Sequence, residues 1–172
     1  MTTTTYGALV DAYLADPTPD NLTALREAVR SAPSFDPGLT LDRSVAPLIE
    51  RQAWQEAISV LNGVMPGALF SPAAHAHLAV ALRHTGRTQE ADREESLSKA
   101  ALRSILATGD GTVRRPWSVI RVSDQYDLLR SLGRRSVRQA LITEGGRRLD
   151  RQVCDDGSEV YFDTAGLLPA DG

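Results

Sequence analysis

The sequence is poor in cysteine and lacks long apolar runs, and each absence excludes a class of protein. Cys154 is the only cysteine among 172 residues, so no intrachain disulfide can form and a reducing compartment is expected. No apolar run approaches the roughly 18 residues that a membrane-spanning helix needs. Asp11 and Asp16 interrupt the N-terminal stretch that a secretory signal would occupy. We therefore expect a soluble, cytoplasmic protein with no membrane partner.

Residues for metal or nucleophilic chemistry are also scarce. His75 and His77 differ by about 200° around a helix, and His77 and His84 are about 10 Å apart, so neither pair is placed to share a metal ion. Cys154 stands beside two aspartates, an unfavourable setting for a thiolate nucleophile. The Gly-x-Ser-x-Gly motif of serine hydrolases is missing. We predict neither a metal nor a cofactor.

Lysine is almost absent, because arginine supplies 18 of the 19 basic residues. Residues 114–151 hold ten arginines and four acids, whereas residues 152–172 hold five acids and no base. Arginine forks suit phosphate or carboxylate groups. The candidate binding residues are therefore two arginine pairs, Arg114 with Arg115 and Arg134 with Arg135. Solvated strand faces are the alternative interpretation of the same block.

Nucleic acid is not an expected partner of this basic block. A sheet that binds RNA normally carries aromatic side chains for stacking, and residues 138–152 contain none. The pI of about 5.6 also differs from that of a dedicated nucleic-acid binder. A protein or peptide partner is therefore the expectation, and a small molecule is the alternative.

The first two thirds of the chain has the apolar spacing of helices. Tyr6 to Leu14 shows one apolar stripe, and Thr18-Pro19 is typical of a capped helix start. Ser71-Pro72 repeats that signal for a later helix. Pro47 lies where a helix interior would be, so that helix is expected to kink there or to begin near Ser44.

The turns between these helices repeat with a period of 34 residues. Gln52 and Gly86 stand at two turns 34 residues apart, and Ala57 and Ala91 stand early in the next helices at the same separation. Two closely crossing helices leave room for only a small side chain. The pattern resembles the tetratricopeptide repeat, with about two or three helical hairpins.

After Gly111 the apolar period changes from 3.6 to 2. Strands are predicted over 117–122, 137–143, 147–153 and 159–164, with a short helix capped by Ser123 after the first. The fold class is therefore α+β: tetratricopeptide-like hairpins followed by a βαβββ part with a largely antiparallel sheet. We expect a helical part at 1–108, an α+β part at 109–166 packed on it, and a flexible tail at 167–172.

One set of elements extends over both parts of the chain: Ile105-Leu106, Gly109-Asp110-Gly111, residues 119–122, Tyr126, Leu128-Leu129, Gln139, Leu141, Asp150 and Tyr161-Phe162-Asp163. With these elements the chain resembles, over residues 36–163, an uncharacterised bacterial family, domain-of-unknown-function family 4919. Gln125 stands where members often have glutamate. The family has no agreed activity, so the resemblance implies a fold and no chemistry.

Two features remain as candidate sites. Asp124, Tyr126 and Asp150 are the candidate catalytic residues, as acid, base and orienting group, although capping, packing and ion pairing also explain them. Gly109-Asp110-Gly111 lacks the Gly-Lys-Ser/Thr of a phosphate loop and the acids of a calcium loop, so we predict that it ends a helix.

Two functions stay open at this point. The first is a non-enzymatic interaction module, in which helical hairpins hold a partner peptide and the arginines add an acidic contact. The second is a small enzyme or ligand-binding protein with a pocket between the hairpins and the sheet. Fold class alone does not choose between them.

Overall fold

The chain divides into two units between Ala101 and Leu102 in a computed structural model that describes residues 5–167. The boundary lies inside the longest helix, seven residues before the predicted one at 108/109. The predicted tail lies almost entirely outside the described residues. No helix of the described part is long and apolar enough to cross a membrane.

The first unit is helical as far as the structure describes it. Its helices are α1 (Tyr6–Ala15), α2 (Pro19–Arg30), α3 (Ala46–Glu50), α4 (Trp54–Gly63), α5 (Pro72–His84) and the greater part of α6 (Thr88–Leu106). The predicted starts of α2 and α5 are confirmed. Thr18 Oγ1 accepts from Asn21 N at 3.3 Å, and Ser71 Oγ accepts from Ala74 N at 3.4 Å. Each proline that follows lies in the first turn, where its missing N–H costs nothing.

Two details of the helical unit bear on the prediction, and the second differs from it. α3 starts at Ala46, close to the predicted start near Ser44, so Pro47 lies in its first turn and the helix needs no kink. Leu14, predicted to be part of the buried stripe of α1, is 49% exposed, while Val10 and Tyr13 are buried. The buried stripe of α1 is therefore narrower than the apolar pattern predicted.

The second unit combines one helix with a four-stranded mixed sheet, which confirms the α+β class. Its elements are β1 (Trp117–Ser118), α7 (Val122–Ser131), β2 (Ser136–Glu144), β3 (Arg147–Cys154), β4 (Glu159–Asp163) and a 3₁₀ turn (Ala165–Leu167). The strand order is β1-β4-β3-β2. β1 runs parallel to β4, and the other neighbouring strands are antiparallel. β2 therefore occupies one end of the sheet.

The strand predicted over 117–122 was too long. β1 ends at Ser118, which pairs with Asp163, and β4 itself ends there, so no neighbouring strand continues the pairing. Helix α7 already begins at Val122. Ser123 therefore lies in the first turn rather than at the cap, and Arg121 is the N-cap residue with no side-chain capping bond.

The β2–β3 hairpin follows directly from its glycines. Gly145 and Gly146 are the two loop residues, with φ of 56° and 76°, and Glu144 pairs with Arg147 across them. Two consecutive positive φ angles define the tight turn that matches strand twist, and glycine adopts them without steric cost. This turn sets the register of the β2–β3 ladder from Glu144 back to Arg138.

Candidate functional site

Polar side chains lie between α7 and the sheet, where an apolar contact would be usual. We call this group the polar cluster: Asp124, Gln125, Tyr126, Gln139, Asp150 and Gln152. In the β3–β4 register Asp150 lies opposite Phe162 and Gln152 opposite Val160. Directly opposed residues share one face of a sheet. The polar cluster therefore lies on the same sheet face as the apolar residues of the second unit's core.

Tyr126 and Asp150, two of the three candidate catalytic residues, are joined through the side-chain amide of Gln139, which was not a predicted site residue. The Tyr126 hydroxyl donates to Gln139 Oε1, and Gln139 Nε2 donates to Asp150 Oδ2. Tyr126 is exposed and Asp150 is buried. A hydrogen-bonded chain therefore runs from a surface phenol to an interior carboxylate. Nothing in the sequence spacing pointed to Gln139 as the link, because it lies on β2 and its partners lie on α7 and β3.

The buried glutamines complete the polar cluster on its inner side. Gln152 Nε2 donates to Gln125 Oε1 at 2.8 Å, and Ser136 Oγ donates to Gln152 Oε1. Gln125 and Gln152 are fully buried. Gln125 therefore serves as a neutral amide that ties α7 to β3.

Asp150 is held in an environment that disfavours its charge. Burial raises the pKa of Asp150 above its usual range, and the neighbouring amides of Gln125 and Gln139 oppose that shift; Gln139 Nε2 donates to Asp150 Oδ2. Among the described residues, the second carboxylate oxygen, Oδ1, has no hydrogen-bond partner and is shielded from solvent. A buried carboxylate with one unsatisfied oxygen is costly when ionised.

The pH dependence of stability tests this environment through Asp150→Asn. In the wild type Asp150 binds its proton more tightly when folded, so its contribution to stability is present below the unfolded pKa of about 3.9. That contribution is lost as pH rises through the folded pKa. We therefore expect the stability difference, variant minus wild type, to increase with pH across this window by up to about 1.4 kcal/mol per pH unit.

Urea unfolding from pH 3.5 to 8 measures this difference. Taking the difference removes the contributions of surface acids such as Glu95 and Asp156, whose lowered pKa values act in the opposite direction. A difference that stays constant or falls with pH contradicts the assignment.

Asp124, the third candidate, forms an ion pair with Arg121, which sequence reasoning missed. Arg121 is completely buried, and its Nη1 lies 3.6 Å from Asp124 Oδ2. Burial lowers the pKa of Arg121, while Asp124 and Asp127 act to raise it. An available signal was the arginine inside the apolar run at 119–122 with an aspartate three residues later. In a helix start, that spacing brings the two side chains together.

The Gly109-Asp110-Gly111 stretch does not end the helix in the predicted way. α6 ends at Leu106, and the left-handed backbone occurs at Gly111, with φ of 77°, rather than at Gly109. A Cβ on Gly109 would lie 2.4 Å from the carbonyl oxygen of Arg115. Gly109 therefore permits a close approach of two backbone segments, and Gly111 makes the turn.

Hydrogen bonds close this loop on itself and on the sheet. The amides of Asp110 and Gly111 both donate to the Arg115 carbonyl, at 2.9 and 3.1 Å. The Asp110 carboxylate accepts from the backbone N–H and the hydroxyl of Thr112. Tyr161 N, on β4, donates to Gly111 O at 2.9 Å. Backbone groups that a phosphate site would present to its ligand are thus engaged within the fold.

The four candidate arginines are largely paired with acids close by. Three form ion pairs: Arg115 with Asp110 at 3.6 Å, Arg134 with Asp156 at 3.2 Å, and Arg135 with Asp155 at 3.8 Å. Arg114 is exposed and has no ion-pair partner among residues 5–167. Exposed pairs of this kind are weak and exchange readily for other anions. An acidic partner would therefore compete with carboxylates already in place.

His75, in the helical unit, has both ring nitrogens engaged. Nε2 accepts from Phe70 N at 2.9 Å, so the proton is on Nδ1, which lies 2.5 Å from Glu94 Oε2. His84 stacks on Trp54 with 4.1 Å between ring centroids. Within the described part of the chain, no three His, Cys, Asp or Glu side chains are grouped as metal ligands would be.

No protein-family model, curated protein or solved structure matches this chain. The resemblance to the uncharacterised bacterial family therefore stays a prediction.

Proposed function

We propose that this protein is a protein–protein interaction module that binds an extended segment of its partner along the outer edge of β2. The observation that carries the proposal is the position of β2. It is the last strand in the order β1-β4-β3-β2, and no strand among residues 5–167 pairs with its outer edge. Such an edge presents a row of backbone donors and acceptors to an incoming strand.

The side chains of β2 support the same proposal. Leu141 is 57% exposed and Val137 is 59% exposed. The stretch SVRQALITE contains neither the lysine nor the proline that often protects a sheet edge, and its charges, Arg138 and Glu144, stand at the two ends of its regular portion. Exposed apolar side chains on a long edge strand favour strand addition over solvation.

The helical unit supports an interaction role through its repeated turn and crossing. We propose that α3 with α4, and α5 with α6, form tetratricopeptide-like hairpins. Gln52 and Gly86, 34 residues apart, both have positive φ, 61° and 81°. Ala57 and Ala91, at the same separation, are both completely buried. Equivalent positions thus have equivalent conformations, and stacked hairpins of this class present extended binding surfaces.

The second candidate function is a small enzyme or ligand-binding protein, and the chain from Tyr126 to Asp150 favours it. A surface phenol linked to a carboxyl of raised pKa is a plausible proton path. However, Asp124 and Asp150 are both buried, and Asp124 is in an ion pair with Arg121. The bonds through Gln139 and Gln152 tie α7 to β2 and β3, which is a structural role, so we assign the function to the edge of β2.

A photo-crosslinking residue at position 141 tests the proposal in the native host cell. We expect adducts in which one recurring extended segment is attached at 141. Leu14 is the matched control, since it is also an exposed leucine, 49% accessible, but lies on α1. Mass spectrometry maps the attached segment. Adducts at 141 no more frequent than at 14, or scattered over unrelated surfaces, contradict a binding edge.

A further inference from the structure

Resting on the proposed binding edge, we infer that the strand that pairs with β2 is the β2 strand of a second copy of this chain. The two strands run antiparallel about a twofold axis at Leu141. Three features of β2 support this pairing: the order of its residues, the stretch with continuous register to β3, and the exposure of Leu141 at the centre of that stretch.

The regular portion of β2 is centred on Leu141. The β2–β3 register is interrupted between Ser136 and Arg138 and is continuous from Arg138 to Glu144. Residue 141 is the midpoint of this seven-residue stretch. A twofold axis at the midpoint lets both copies use the full regular length, which is the self-complementary arrangement that a symmetric dimer requires.

Charges at the ends of this stretch are complementary under the same axis. Antiparallel pairing about residue 141 places Arg138 of one copy opposite Glu144 of the other, and the reverse pair forms at the other end. Opposite charges on directly opposed residues stabilise a strand pair, whereas like charges destabilise it. A register shifted by one or two residues loses both pairs.

The remaining positions are also matched. Gln139 lies opposite Thr143, Ala140 opposite Ile142, and Leu141 opposite the same residue of the other copy. Each pair is polar with polar, small with large apolar, or leucine with leucine. Leu141, more than half exposed in the single chain, becomes covered at the centre of the pairing. A partner with an unrelated sequence would have to reproduce this order.

Disulfide trapping tests the register directly. Leu141→Cys places two thiols opposite each other, and mild oxidation of the purified full chain then yields a covalent dimer. Val137→Cys is the matched control, because it is equally exposed but would lie about 27 Å from its own copy in this register. Cys154 is buried in both variants. We expect Leu141→Cys to crosslink roughly tenfold faster or more.

Charge reversal tests the end pairs by sedimentation. Arg138→Glu replaces two attractive pairs by two repulsive ones, so we expect the dimer Kd to rise by about 10- to 100-fold. The double exchange Arg138→Glu with Glu144→Arg restores the pairs and returns Kd to near the wild-type value. Circular dichroism checks that each variant keeps its fold.

The outcomes separate this inference from the proposed function. A monomeric purified chain whose position 141 crosslinks to another protein in cells overturns the second copy and leaves the binding edge intact. Equal crosslinking at 141 and 137, or a dimer indifferent to charge reversal, overturns the register. A monomer with no adduct at 141 overturns both.

Discussion

Replacing Arg121 by methionine lowers the free energy of unfolding of the second unit by about 3–5 kcal/mol. Arg121 is completely buried, and the carboxylate of Asp124 beside it is almost as inaccessible to solvent. Removing the cation leaves that carboxylate in an environment that solvates charge poorly, and Asp127 adds a second negative charge nearby. The loss of stability comes more from the buried, unpaired carboxylate of Asp124 than from the missing attraction.

A second variant separates these two causes. Arg121→Met combined with Asp124→Asn removes the stranded charge as well as the cation, so we expect it to be more stable than Arg121→Met alone. Recovery is partial because Asp127 keeps its charge. Urea unfolding in a Trp54→Phe background measures the effect, since Trp117 is then the sole tryptophan and reports on the second unit.

Arg130→Met is the matched control for position 121. Arg130 pairs with Asp127 at 3.2 Å from the same helix, but its side chain is 73% exposed. The Asp127 carboxylate is only 8% exposed, but the Arg130 guanidinium lies in water, so its removal should cost about 1 kcal/mol, much less than the loss at position 121. Equal losses at positions 121 and 130, or a double variant as unstable as Arg121→Met, would show that burial of the charge is not the cause.

Features encoded by neighbouring residues were predictable from the sequence. The caps at Thr18 and Ser71 need only a hydroxyl followed by proline, and the turn at Gly145-Gly146 needs only two glycines between strand-forming residues. The α+β class follows from such local signals in sum. Their physical basis lies within about four residues, so no knowledge of the rest of the fold is needed.

Features that depend on distant residues were not predictable in the same way. β1 is short because its neighbour β4 ends at Asp163, about 45 residues later in the chain. The link between Tyr126 and Asp150 needs Gln139 from a third element. Arg121 looked like one more residue of a strand, and its spacing of three residues from Asp124 indicates a contact only once residues 122–131 are known to be helical.

Gly111→Ala tests what the Gly109–Gly111 stretch does, and we expect it to cost about 2–5 kcal/mol. Gly111 has φ of 77°, and a Cβ there would lie 2.7 Å from the ring of Trp117. That ring is buried and packs against Phe162 with 5.6 Å between centroids. The methyl group therefore strains the backbone and displaces a core side chain at the same time.

Gly146→Ala isolates the backbone-strain part of this effect. Its φ of 76° is nearly the same, but a Cβ there meets no atom within 4 Å, so only the backbone strain of about 1–2 kcal/mol applies. The difference between the two variants in urea unfolding then measures the contact with Trp117. If Gly111 served only to turn the backbone, Gly111→Ala would lower the free energy of unfolding no more than Gly146→Ala does. A larger loss of stability at position 111 means that this stretch holds β1 and β4 together. The Gly111 carbonyl accepts from Tyr161 N on β4, and the Trp117 ring of β1 packs where a side chain at position 111 would lie.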